Sequence, residues 1–175
     1  ENLLKLDRDY EKLGCTYVNF NITVQNYNIL RLVELLDYIH GSFKNINRLP
    51  LLSLLFHPDS FSIQALPAEL KATAKKYIQD YVLRMTDQWP QMARYKVDAD
   101  NFSRNIEGVI HFMMEKDRSS LMPEFQRITE IYDRNRSQKL LEVLPEFAPY
   151  MMAMLTETRP ADMSAKTRSS LEMSQ

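Results

Sequence analysis

The sequence is poor in the residues that most self-contained catalytic motifs require. A single cysteine, Cys15, occurs in 175 residues, so no internal disulfide can form and the chain suits a reducing cytosol. Three dispersed histidines, His40, His57 and His111, are the other soft ligands. Together these cannot supply a four-ligand zinc site or the three or four thiolates of an iron–sulfur cluster. Glycine is as scarce. Gly14, Gly41 and Gly108 each stand alone, which leaves no GxxxxGK loop and no GxGxxG turn to cradle phosphates. A self-contained nucleotide triphosphatase or Rossmann dehydrogenase is therefore disfavoured. Charge of one sign is missing too. With 22 basic against 23 acidic residues, there is no electrostatic footprint for nucleic acid or an anionic membrane. No stretch approaches the roughly 20 apolar residues that span a bilayer, and no charged-then-apolar leader opens the chain. The expectation is a soluble, cytoplasmic chain with neither nucleic acid nor membrane as partner.

What is present is enough apolar sequence, 45% of the chain, for one sizeable core. Leu3, Leu6, Tyr10 and Leu13 follow the spacing of one helix face, and Gly14 supplies a left-handed stop. The chain starts at Glu1 without an initiator Met or an evident N-cap, which reads as a helix entered partway; a trimmed N-terminus is the plainer alternative.

A strand–helix–strand pattern follows. Between Tyr17 and Gln25 the side chains alternate, with Val18, Phe20, Ile22 and Val24 on one face and Asn19, Asn21, Thr23 and Gln25 on the other. Ile29 to His40 reads as an amphipathic helix with Asn28 as N-cap and Gly41 as stop. Leu49 to Phe56 has strand length and ends in the turn cluster His57-Pro58-Asp59-Ser60. Such spacing predicts parallel strands joined by a crossover. Two parallel strands make a poor sheet on their own, so further strands are expected from sequence upstream.

From Pro67 onward the chain reads as helical. Leu70, Ala74, Tyr77, Ile78, Tyr81 and Met85 form one buried face; Phe102, Ile106, Val109, Ile110 and Met113 form another, in a helix starting at Asp98 or Asp100. A third helix begins near Ser119 or Ser120 and uses Leu121, Phe125, Ile128 and Tyr132. Pro145 and Pro149 break the last apolar stretch, Leu140 to Leu155, into short pieces. Residues 156–175 lose large apolar side chains and read as a disordered tail. The expected organisation is 1–66 as βα units, 67–155 as a helical region, and 156–175 as the tail.

Chemistry is concentrated in a few places. An Asn-x-Asn-x-Thr strand face is an expensive choice for a barrel interior unless it meets a ligand or water; a half-exposed strand explains it equally. His57 and Asp59 follow the second strand, where α/β proteins gather ligands. They read either as a general base with its orienter or as ordinary turn chemistry. Asp133-Arg134-Asn135-Arg136 suits a helix C-terminus, with anion binding as the alternative. The ten methionines read as packing rather than as an adaptable groove.

Several of these pieces, in this order, resemble radical S-adenosylmethionine (radical SAM) enzymes of the twitch-domain-like type. The strand Tyr17–Val24, followed by Gln25-Asn26-Tyr27-Asn28-Ile29 and an amphipathic helix, is similar to their fifth strand and helix. Pro58-Asp59-Ser60-Phe61-Ser62-Ile63, then Leu66-Pro67, is similar to the sixth strand and its helix. Pro123-Glu124-Phe125, Tyr132-Asp133-Arg134-Asn135-Arg136 and Leu141-Glu142-Val143-Leu144-Pro145-Glu146-Phe147 resemble the family's C-terminal "Asp, two residues, Arg … Phe-Pro-Glu" ending. The resemblance spans about residues 1–150 and implies an α/β fold: the last two strand–helix units of a partial (β/α)6 barrel, then a mainly helical C-terminal region. It also implies a 4Fe-4S cluster on a CxxxCxxC motif, and S-adenosylmethionine on that cluster, cleaved to a 5′-deoxyadenosyl radical. CxxxCxxC is absent here, so the cluster-bearing N-terminal half is expected from outside these residues, as the chain's main partner. Asn19, Asn21 and Thr23 would face the lumen, with Gln25 or Asn26 at its mouth. His57 would hold S-adenosylmethionine or substrate, a peptide being one option. The competing expectation is a non-catalytic helical binding or adaptor domain.

Overall fold

Two short parallel strands and a set of helices share one hydrophobic core in the computed structural model, which describes residues 2–151. Strand β1 is Asn21–Val24 and β2 is Leu51–Leu54, in register from Asn21↔Leu51 to Val24↔Leu54. Helix α1, Asn2–Arg8, precedes them, and α2, Leu32–Ser42, makes the crossover between them. After β2 come α3 (Ala68–Met85), α4 (Trp89–Met92), α5 (Lys96–Glu115), α6 (Met122–Arg136) and α7 (Leu140–Val143). The expected tail, 156–175, lies outside the described residues.

This is a mainly helical fold, and it corrects the expectation of a partial (β/α)6 barrel. A barrel wall needs strands that continue on both sides. Among the described residues the sheet stops at two strands, and α5 packs against β2, with Phe112 edge-on to Phe56 at 5.2 Å. The alternation of Tyr17 to Gln25 also overstated the ladder. Ahead of Asn21 the pairing gives out: the Phe20 carbonyl still accepts from the N–H of Leu51, the first residue of β2, at 2.8 Å, and the Val18 carbonyl accepts from Asn47 N–H in the loop before β2 at 3.1 Å.

The strand faces divide as the pattern predicts. Ile22, Val24 and Leu52 enter the core beside Leu32 and Leu36 of α2 and Ile78 of α3, while Asn21 and Thr23 stay exposed. Helices α3 and α5 bury the expected stripes, except that Tyr77 is exposed. Helix α5 starts two residues before Asp98, because the Asp98 carboxylate reaches back to accept Tyr95 N–H at 2.9 Å. Asn28 holds the N-cap position ahead of Ile29, but its side chain makes no cap bond. Its side chain accepts from Gln25 N–H and donates to the Thr23 carbonyl, closing the turn after β1, and a 3-10 turn, Ile29–Arg31, leads into α2. At the far end of α5, the Lys71 ammonium donates to the Lys116 carbonyl at 2.7 Å, and burial lowers its pKa.

Helix α1 departs most from its periodicity. It ends at Arg8, and Leu3 and Leu13 are exposed; the buried member is Asp7. The Asp7 carboxylate accepts from the backbone N–H groups of Lys44, Asn45 and Ile46, at 2.7 Å to Asn45 and 2.9 Å to Ile46. Burial alone would raise this carboxyl's pKa, but the three N–H groups together outweigh it and hold the pKa below the ordinary value. Replacing Asp7 by Ala leaves three backbone donors without their acceptor, that of buried Ile46 among them, and urea unfolding should show a loss of about 1–3 kcal/mol; a loss under about 0.5 kcal/mol means α1 is held by other contacts.

His40 gives a pH dependence. It lies buried on α2 with its ring 5.9 Å from that of Tyr81, and burial lowers its pKa from 6.5 to about 4. The unfolded chain therefore takes up this proton first as pH falls. Stability from this residue is complete above pH 6.5 and lost between pH 6.5 and about 4, by roughly 3 kcal/mol at most. His40→Phe should flatten that part of the stability–pH curve, and an unchanged slope in the variant rules out His40 as its source.

Candidate functional site

Parallel strands end at the same edge of their sheet, and a crevice opens there. It has a volume of about 660 Å³ and is walled by Gln25 and Tyr27 after β1, Leu55, Pro58 and Phe61 after β2, and the segment Tyr132–Leu144 around the end of α6. Its floor is aromatic. Phe61 is buried, with its ring 5.4 Å from Tyr27, 5.6 Å edge-on to Phe125 and 6.3 Å stacked on Tyr132. The Tyr27 hydroxyl and the Thr129 hydroxyl are 2.7 Å apart, which ties the β1 turn to α6. Burial raises the Tyr27 pKa, so it remains a neutral hydroxyl at neutral pH.

The rim is polar and shaped by the end of α6. Ser137 takes a left-handed conformation, φ 51°, and turns the chain. Asp133 then holds the returning strand of loop: its carboxylate accepts from Leu140 N–H at 2.9 Å and its carbonyl from Gln138 N–H at 3.0 Å. The Arg136 guanidinium lies over the Tyr132 ring, 5.2 Å from its centre. Lys139 pairs with Glu142 at 3.6 Å. Behind this loop, Arg31 bridges to Glu146 at 2.7 Å and fixes the last segment to the crossover.

The residues singled out in the sequence are only partly brought together. Asn21 and Thr23 lie on the open face of the sheet, where Asn21 accepts from the Ser53 hydroxyl at 2.7 Å. Asn19 is exposed ahead of β1. By the two-residue period of a strand, Gln25 continues the Asn21–Thr23 face and Leu55 continues that of Leu51 and Ser53. The polar face therefore runs into the crevice. His57 does contact Asp59, Nδ1 to Oδ1 2.9 Å, although neighbours in sequence usually diverge; Asp59 also binds Arg118 at 2.7 Å. That trio sits outside the crevice, with the His57 side chain 88% exposed. Tyr27, Tyr132 and Lys139 escaped the sequence reading as site residues. Their signal was the Gln-Asn-Tyr-Asn turn and the dense polar run after α6, both of which also serve as turn and helix-end chemistry.

The crevice joins aromatic surface with amide and guanidinium donors, a combination that small-molecule sites use. Among the described residues no group of three or more His, Cys, Asp or Glu side chains is placed to hold a metal ion, and no helix is long and apolar enough to cross a membrane. No family model, curated protein or solved structure matches this chain.

The site should respond unequally to substitution. Phe61→Ala removes the ring on which the floor is built and should cost about 3–5 kcal/mol in urea unfolding, whereas Asp59→Asn breaks only half-exposed ion pairs and should cost under about 1 kcal/mol. The opposite order would place the support of the crevice in the ion pairs.

Proposed function

We propose that this chain forms part of the ligand-binding wall of a radical SAM enzyme, at the shared carboxyl edge of two parallel strands. The observation that carries the reading is the continuous run from the polar strand face, Asn21 and Thr23, into the crevice at Gln25. Ligands of α/β proteins gather at such strand ends, and the order of segments resembles that family. On this reading Asn19, Asn21 and Thr23 face the cofactor or substrate and His57 stands at the outer end of β2.

The two implied cofactors fit unequally. A crevice of about 660 Å³ with an aromatic floor is large enough for S-adenosylmethionine, which in the whole enzyme supplies the radical. The chain's own residues contribute orientation: Gln25 offers an amide at the strand end, and the rings of Phe61 and Tyr132 offer an aromatic surface for the ligand to rest on. The 4Fe-4S cluster does not fit. Cys15 is the only thiol, so its ligands belong to the cluster-bearing half of the enzyme, and no radical step is assigned to these residues. That half is also the proposed cover for the open sheet face, where Leu51 is 45% exposed. A cytoplasmic setting, suited to a cluster enzyme with one free thiol, belongs to the same proposal.

Calorimetric titration of the chain with S-adenosylmethionine tests it. The expected result is saturable binding with a dissociation constant near or below about 1 mM, roughly 4 kcal/mol, weakened at least about fivefold by Asn21→Ala or Gln25→Ala, a loss of roughly 1 kcal/mol. No saturable heat with the folded chain, or equal binding in both variants, overturns the assignment.

A further inference from the structure

The crevice carries two cations and two anions, and they are not all paired with one another. Of its four charged lining residues, Lys139 and Glu142 pair with each other, and Asp133 is engaged by the Leu140 N–H. Arg136 is different. It has an aromatic face beneath it, and among the described residues it makes no salt bridge. The ring it lies over, Tyr132, is stacked on Phe61. The guanidinium is thus the outermost layer of a Phe–Tyr–Arg stack, with its planar fork of donors unclaimed by any carboxylate among the described residues. A fork of that shape matches a carboxylate in two parallel hydrogen bonds.

The surrounding surface says what the rest of the ligand is. Leu55, Pro58, Leu140, Val143 and Leu144 line the crevice from both sides, and the hydroxyl of Tyr27 is already committed to Thr129. The Asp133 carboxylate and the carbonyl end of α6 line the same space and disfavour an anion, so selection rests on the directed donor fork of Arg136 and not on net charge. Resting on the reading of this crevice as a ligand site, we propose that it selects a small amphiphilic carboxylate: the anionic group on Arg136 and an apolar body against Leu55, Pro58 and Val143.

Two isosteric probes separate charge selection from mere pocket filling. 4-Phenylbutyrate and 4-phenylbutylamine share an apolar body and differ in the sign of the head group. Calorimetry should show the carboxylate binding at least tenfold tighter than the amine. Arg136→Gln should abolish that preference while leaving the fold, monitored by circular dichroism, intact; Arg136→Lys should keep part of it, since a point charge remains without the fork. Equal affinity for both probes in the unaltered chain, or an unchanged preference in Arg136→Gln, overturns the carboxylate assignment and leaves the crevice a ligand site. Binding of neither probe overturns the crevice as a ligand site and the carboxylate assignment with it.

Discussion

Parallel pairing between Asn21–Val24 and Leu51–Leu54 constrains everything around it. Parallel strands need a crossover, and here α2 supplies it, taking the apolar face of the sheet as its packing surface. Because the two strands point the same way, the loops that follow them, Gln25–Asn28 and Leu55–Ser60, emerge side by side. The backbone confirms their alliance: Asn26 N–H donates to the Phe61 carbonyl at 3.0 Å, and the Asn26 amide donates to the Ser60 carbonyl at 2.9 Å. That junction brings Tyr27 and Phe61 within ring contact, and α6 then closes over them through Phe125 and Tyr132. The crevice is a consequence of strand direction before it is a consequence of any one side chain.

Polar anchoring fixes the parts that the core does not reach. Asp7 gathers three backbone donors of the loop after α2, Lys71 receives the end of α5, and Arg31 holds Glu146. Each joins segments far apart in sequence with an ionised group that is at least partly withdrawn from water. Such contacts contribute geometry more than net stability, since desolvation offsets much of their attraction. Their effect is to set where α1, the α5–α6 turn and the final segment lie relative to one sheet.

Local pattern made the helices legible, and long-range contacts hid the rest. The stripes Leu70–Ala74–Ile78–Tyr81–Met85 and Phe102–Ile106–Val109–Met113 appear as read, because a 3.6-residue period is a local property. The barrel was misjudged because alternation in Tyr17–Gln25 reports one buried face and says nothing about how many neighbours pair along the edges. Leu3 and Leu13 kept helical spacing without burial, while Asp7 did the anchoring, a role visible only once residues 44–46 are brought beside it. At the site, Asn21, Thr23 and Gln25 were legible as one face. Arg136 was legible as a helix-end cation with anion binding as the alternative, and the sequence could not choose between them, since its stacking partner gains meaning from Phe61, some seventy positions earlier in the chain.

The Phe61–Tyr132–Arg136 stack has a further consequence for what binding costs. A free arginine side chain samples many rotamers, and ordering one on association costs about 0.5–1.5 kcal/mol. Arg136 lies over Tyr132, which is itself braced by Phe61, and a cation–π contact at such an exposed place is worth about 0.5–1 kcal/mol, comparable to that ordering cost. The stack therefore biases the guanidinium toward one direction before any ligand arrives, and a head group that approached along it would find part of the ordering already done.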